Sequence, residues 1–432
     1  MAMNANDPNP HPGASDVRMR GFQRRSTVEQ TLAWIDAQAQ PLPFETASIW
    51  NAAGRVLAQA VASQVDVPGF DRAMMDGYAV RAGETQGATP YNRLELKLVG
   101  ECLPGRPFAG EVGAGQAVSI MTGAPLPTGA DAVLPAERAE AHGETLWAQD
   151  DVSPGKNVGR CGEDVRAGAE ILPAGRTLRP QDLGLLSSVG LGAVSVVRQP
   201  RVRLVITGHE LLAAGSTPRG VLIADANGPM LAALVRRDGG LLIDVPAGST
   251  ADTSYLVDDD PTALSEMLLD EADVLLVSGG SSVGREDHAP ILLAQHGELA
   301  IHGIAMRPSS PAGMGRIGAK LVFLLPGNPV SCLCAYDFFA GRAIRALGGR
   351  STAWPYARVC RPLSRKLVSA IGRLDYCRVR IEGDQVAPLA ISGASVLSST
   401  TRADGFVIIP ADREGFPPGA DVDVWLYDGA AG

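Results

Sequence analysis

Between Arg201 and Gly349 the apolar and polar positions alternate between two rhythms. Short, nearly unbroken apolar runs ("RVRLVIT", "LLIDV", "DVLLVS", "LAIHGIAM", "KLVFLLP") alternate with stretches whose apolar residues recur every three or four positions ("PMLAALVRRDG", "PTALSEMLLDEA", "HAPILLAQHG", "PVSCLCAYDFFAGRAIRALGG"). The runs predict strands buried on both faces, and the periodic stretches predict helices. Their alternation predicts a doubly wound, mainly parallel α/β sheet. Upstream, Thr27–Leu42 reads as a helix with Thr27 as its N-cap, and Glu45–Val61 as a second short helix. From Gln64 to about Ala148 short β-like pieces ("RLELKLVG", "QAVSIMTG", "DAVLPAE") are broken by Gly and Pro, which predicts a small β-rich module. A helix is expected over Arg179–Val189 with Pro180 in its first turn, and Thr352–Tyr427 predicts a second small β module.

Composition narrows the class. With 432 residues, 45% hydrophobic and 20% charged, the chain is an ordinary globular sequence of several domains. A net charge of −9 argues against general nucleic-acid binding, which needs a basic face. No stretch approaches the ~20 apolar residues of a membrane span. The polar start lacks the apolar core of a secretory leader, so residues 1–25 are expected to be a disordered tail. The six cysteines form no CxxC pair and are expected as free thiols of a cytoplasmic protein, without structural zinc. Lysine occurs only at Lys97, Lys156, Lys320 and Lys366; the other basic residues are arginines.

Chemistry is expected in the loops beyond the carboxyl ends of the strands, where open α/β sheets bind ligands. These loops carry Thr207-Gly208-His209-Glu210, then Asp258-Asp259-Asp260, then "SGGSSVGREDH", then "RPSSPAGMG", then Pro326-Gly327-Asn328-Pro329-Val330-Ser331. Small residues let backbone N–H groups approach a phosphate. Carboxylates beside such a loop repel an anion unless a cation mediates. Glu210, Asp287 and one of Asp258–Asp260 therefore suggest Mg2+ with a phosphate ligand. Asp260 also reads as the N-cap of the helix starting at Pro261. His209 and His288 are either general bases or exposed loop histidines. GxxxxGK[ST] is absent and "GGSSVG" is not GxGxxG, which excludes a P-loop NTPase and disfavours NAD.

Seven segments in order, "VPGFDRAMMDGYAVR", "IMTGAPLPTGADAVLPAE", "GRCGEDV", "ITGHEL", "SGGSSVGREDH", "LPGNPVS" and "GRLDY", resemble the molybdopterin molybdenumtransferase family, which includes the gephyrin E domain. The resemblance covers nearly everything after the first ~25 residues. It implies a four-domain homodimer that binds adenylylated molybdopterin and molybdate, cleaves the pyrophosphate with Mg2+, releases AMP and leaves molybdenum on the dithiolene. The site would lie between the central domain of one subunit and the second domain of the other. Carried over by motif, Asp76, Thr122, Glu210 and Asp287 would be catalytic, and Glu210, Asp259 and Asp287 would hold the metal. Arg160, Glu163, Asp164, Thr207, Gly208, Gly279, Gly280, Ser281, Ser282, Gly284, Arg307, Pro326, Gly327, Asn328, Ser331, Arg373, Ser395 and Ser398 would bind substrate. Pro329 and Ser399 match positions facing the same cleft. A molybdopterin adenylyltransferase and molybdoenzymes or their chaperones are the implied protein partners; no nucleic acid or membrane is.

Pattern and resemblance together give a tail over 1–25, a mixed linker and dimerisation domain over 26–62 and 150–198, a small β-rich domain over 63–149, a central α/β molybdopterin-binding domain over 199–350, and a C-terminal β domain over 351–432. One departure stands out. The family pattern carries a "KPGKP" type of motif where this chain has "RPSSP", Arg307–Pro311. Arg307 keeps the charge as a planar fork, and Ser309 or Ser310 replaces the second lysine. The alternatives are a paralogue tuned to another oxyanion such as tungstate, a pterin-binding scaffold with weak turnover, or an adenylyltransferase, which the additional β modules disfavour.

Overall fold

The computed structural model describes residues 25–243, 255–257, 260–280 and 287–428. The fold is mixed α/β, with several sheets and few helices, and divides into two units, one of residues 1–45 with 197–432 and one of residues 46–196.

In the first unit, a sheet runs in the order Leu241–Leu242, Arg201–Thr207, Val274–Ser278, Lys320–Leu325, Gly313–Ile317, Glu298–His302, with Leu256–Val257 also on Arg201–Thr207. The pairings of Arg201–Thr207 and the pairing of Val274–Ser278 with Lys320–Leu325 are parallel; the last two pairings are antiparallel. The register sets Ile206 beside Ser278 and Ser278 beside Leu325, so three strands end at one level. Their apolar character follows from burial on both faces. Leu204, Ile206, Leu276, Phe323 and Leu325 pack with helices Asn227–Arg237, Pro329–Ala335 and Gly341–Leu347. Val205, Leu275, Val277, Val322 and Leu324 pack with helices Pro261–Leu269 and Ala289–His296. Thr27 caps helix Val28–Gln38 by accepting from Gln30 N–H, and Val28, Ile35 and Ala39 join the first of these two cores. That helix lies in the first unit.

Three sequence expectations differ from the structure. "LAIHGIAM" is not one strand. Glu298–His302 closes the central sheet, while Met306–Arg307 pairs in parallel with Leu374–Asp375 of the C-terminal sheet. Each half satisfies its backbone groups in a different sheet, a choice local pattern does not encode. Glu45–Val61 is not a helix: Phe44–Ser48 is a strand that pairs with Ala193–Val197, a short turn follows at Ile49–Asn51, and Gly54 takes a φ of +72° that ends helical propagation. The long helix after Pro329 widens to a π turn at Tyr336–Ala340, where buried Asp337 bonds Arg237 and Tyr356.

The C-terminal sheet runs Met306–Arg307, Leu374–Glu382, Gly405–Ile409, Asp421–Leu426, Ala357–Pro362, with Gln385–Ala390 also on Leu374–Glu382. In the second unit a sheet runs Ala132–Pro135, Gly77–Val80, Gln116–Ile120, Leu94–Cys102, Thr145–Ala148, Ala139–His142. A separate core of Leu57, Leu172, Leu178, Leu186 and Val196 surrounds helix Pro180–Ser188. Among the described residues no helix is long and apolar enough to cross a membrane.

Candidate functional site

The level strand ends of the central sheet open into a cavity of about 510 Å3, whose lining includes Thr207, Gly208, Glu210, Gly279, Gly280, Asp287, Pro326, Gly327, Asn328, Pro329 and Ser395. Its floor depends on close backbone approach. Gly279 has a φ of +99°, and a Cβ there would come within 2.1 Å of the Thr207 carbonyl oxygen. Only glycine fits such a position. Asn227 ties the floor together: its side-chain NH2 donates to Ser278 Oγ at 3.0 Å and to the Gly327 carbonyl at 2.7 Å. Asp225 accepts from the N–H groups of Asn227 and Gly228, capping helix Asn227–Arg237, and burial raises its pKa. Neither residue was singled out in the sequence, although "DANG" before an apolar period is a helix-start signal.

Glu210 and Asp287 put two carboxylates on this one cavity. Hard oxygen donors suit Mg2+. Among the described residues no three His, Cys, Asp or Glu side chains converge as a metal site. Asp260 is the N-cap of helix Pro261–Leu269, accepting from Ala263 N–H at 2.9 Å. Asp259, Ser281, Ser282 and Gly284 lie outside the described residues.

A second cavity of about 360 Å3 shares Pro311 and Asn328 with the first and is lined also by Arg25, Arg307, Ser310, Ser331, Arg373 and Gly393. Beneath it, Asp375 is fully buried. Arg307 Nη2 donates to Asp375 Oδ2 at 2.5 Å, Ser369 Oγ donates to the same oxygen at 2.8 Å, and Arg373 Nε stands 3.2 Å from Oδ1. One carboxylate thus orients two guanidinium groups and leaves the wall net positive, an arrangement suited to a dianion. Ser309 has a φ of +83° and spends its hydroxyl on the Ser331 carbonyl at 2.6 Å. Ser310 Oγ is buried without a hydrogen-bond partner among the described residues. Ser395 Oγ donates to Asn328 Oδ1 at 2.8 Å, and Val330 N–H donates to the Ala394 carbonyl at 2.9 Å, joining the two walls. Ser398 is exposed and opens the short helix Ser398–Thr401, and Ser399 donates back to the Val396 carbonyl; neither lines these cavities.

The remaining predicted residues stand in the second unit. Asp76 Oδ1 accepts from both the N–H and the hydroxyl of Thr122, each at 2.8 Å, and these bonds lower its pKa, the backbone one most. Arg160 Nη1 meets Asp71 Oδ2 at 2.7 Å, while Glu163 accepts from Arg160 N–H at 2.9 Å and from Arg72 at 3.0 Å. Asp164 is held through its N–H to the Val67 carbonyl. "GRCGEDV" is therefore pinned to "VPGFDR" through Asp71 and Arg72, which the sequence reading did not name.

Comparison with known proteins covers almost the whole chain. Residues 26–190 match the MoeA N-terminal region (domain I and II), residues 203–346 a "Probable molybdopterin binding domain", and residues 361–427 the MoeA C-terminal region (domain IV). Molybdopterin molybdenumtransferase 2 of Mycobacterium tuberculosis is 33% identical over 392 residues, 88% of this chain and 94% of that protein. The molybdopterin molybdenumtransferase of Staphylococcus aureus is 28% identical over 409 residues, 94% of this chain and 96% of that protein. Two crystal structures of the molybdopterin biosynthesis moeA protein of Pyrococcus horikoshii superpose with TM-scores of 0.76 and 0.73 at 31% and 29% identity, each covering 94% of this chain and 100% of that one.

Proposed function

The chain belongs to the molybdopterin molybdenumtransferase family, transferases of molybdenum cofactor biosynthesis, and from that premise we propose that it inserts molybdate into adenylylated molybdopterin with Mg2+ and release of AMP. The observation that carries this reading is the adjacency of two unlike cavities. One has a glycine floor and two carboxylates, the other two arginines on a buried aspartate, and they share Asn328 and Pro311. An adenylylated pterin would place its pyrophosphate over Gly279 and Gly280, where backbone can approach a phosphate closely. Glu210 and Asp287, with Asp259, would hold Mg2+, which when bound offsets the negative charge of the pyrophosphate. Arg307 and Arg373, with Ser310, would hold molybdate beside it. Water adds to one phosphorus as the bridging P–O bond breaks and AMP departs; the two dithiol sulfurs then bond to molybdenum as one molybdate oxygen leaves, taking their two protons as water.

In the same proposal the protein works in the cytoplasm as a homodimer. Asp76 and Thr122 of one subunit complete the central-domain site of the other, Arg160, Glu163 and Asp164 help bind substrate, and the central domain is the doubly wound module. A molybdopterin adenylyltransferase would supply its substrate, and molybdoenzymes or their chaperones would take the product. The test mixes the full chain with adenylylated molybdopterin, Mg2+ and molybdate and measures AMP and finished cofactor. AMP release that depends on molybdate is the expected result; none at millimolar molybdate would sink the enzyme reading. Asp287→Ala should reduce turnover by at least about a hundredfold, and an unchanged rate would remove Asp287 from the metal site. A second reading, preference for another oxyanion such as tungstate, rests on the serine that stands at Ser310 where the family pattern has a lysine. Competition between the two oxyanions in the same assay decides it.

A further inference from the structure

The largest fully buried side chain among the described residues is a charged one, Arg378. It lies in strand Leu374–Glu382, three residues beyond Asp375. Its Nη2 donates to the Ser392 carbonyl. Its Nε and Nη1 have no hydrogen-bond partner among the described residues. The Cys334 and Cys377 thiols and the Tyr427 phenol feel its charge, and burial keeps each of them neutral. A buried cation without a carboxylate is among the costliest features a core can hold, and an apolar side chain of similar length is cheaper. Stability of the fold does not account for it.

The acceptor of its one bond indicates a use. Ser392 lines the second cavity with Gly393 and Ala394. A trans peptide is planar, with its C=O and N–H pointing opposite ways. Drawing the Ser392 carbonyl toward the core therefore turns the Gly393 N–H away from the core, on the side where Gly393 lines the cavity. Gly393, with a φ of +89°, permits that backbone turn. The same segment is fastened at its far end by Ala394 to Val330 and by Ser395 to Asn328.

We propose that Arg378 is a positioning residue of the oxyanion cavity: it holds the Ser392–Gly393 peptide so that the Gly393 N–H serves as an anion donor, and its uncompensated charge adds to that of Arg307 and Arg373. This rests on the reading of that cavity as the oxyanion site.

The test titrates the full-length chain, Arg378→Met and Arg378→Lys with molybdate by calorimetry and records the thermal unfolding of each. The expected result is an affinity roughly tenfold weaker in Arg378→Met, with a Tm equal to or above that of the parent, and recovery of most of the affinity in Arg378→Lys. Unchanged affinity in Arg378→Met overturns the role of Arg378 while leaving the oxyanion site standing. An Arg378→Met chain that fails to fold, or that loses Tm and affinity together without recovery in Arg378→Lys, assigns the arginine to the fold and also overturns it. A parent chain that binds no molybdate removes the oxyanion site itself, and this inference with it.

Discussion

In "RPSSP" Ser309 stands third, opposite the glycine of the "KPGKP" pattern, and takes a φ of +83°, which leaves Ser310 opposite the second lysine. Two serines side by side in sequence thus do different things. Ser309 holds the turn by donating to Ser331, while the Ser310 hydroxyl is buried without a hydrogen-bond partner among the described residues. Placing a lysine at Ser310 returns a charge-assisted donor to the cavity wall. Ser310→Lys should tighten molybdate binding by about three- to tenfold at low salt, with less gain at high salt. Titration at two ionic strengths measures this, and equal affinities would place the anion elsewhere. A lysine at Ser309 would instead put a bulky residue in a left-handed backbone position and should lower stability.

Local geometry decides how strands and helices present these groups. Gly279 ends its strand against the Thr207 carbonyl, so Gly279→Ala must either shift the Thr207–Glu210 segment or distort its own turn. A loss of about 2 kcal/mol is expected, read as a lower Tm together with weaker nucleotide binding. Helix Pro180–Ser188 depends on Asp182, which accepts from Arg176 at 2.8 and 2.9 Å and from Arg179 N–H at 2.9 Å. The Arg176 side-chain bonds, first among the causes, hold the Asp182 carboxyl well below the usual carboxylate range. A depressed folded pKa means the stabilisation is complete above the unfolded value near ~4 and fades as pH falls through the folded one. Asp182→Asn should therefore cost about 2 kcal/mol at neutral pH, with parent and variant curves converging in acid. Denaturant unfolding across pH follows this directly; a constant difference down to strong acid would contradict it.

For the assembled enzyme, the proposal that Asp76 and Asp287 act in one site from two subunits has a quantitative consequence. Asp76→Ala and Asp287→Ala chains, each inactive alone, should regain about a quarter of parental AMP release after mixing and subunit exchange: half the dimers are then mixed, and each mixed dimer has one intact site. No recovery despite proven exchange would place both residues in the same subunit's site.

Much of this was legible along the chain because it is local. Continuous apolar runs, three- to fourfold periods, Asp260 before Pro261 and the glycines after Val277 express constraints that act over a few residues, and the central sheet and its glycine loop follow from them. The seven ordered segments carried the family for the same reason, since each is a short stretch under its own backbone demand. What the chain could not express by itself depends on partners distant in sequence. Met306–Arg307 leaves one sheet for another because Leu374–Asp375 offers a free edge. Asp375 joins Arg307 to Arg373 from a strand more than sixty residues away from the first. Asn227 reads as a helix start until Ser278 and Gly327 are beside it. Arg378 is not singled out by the local pattern, and only the closed core buries it. Local pattern sets which backbone a segment prefers; burial, pairing and the direction of each polar atom are settled only when distant segments compete for the same hydrogen bonds.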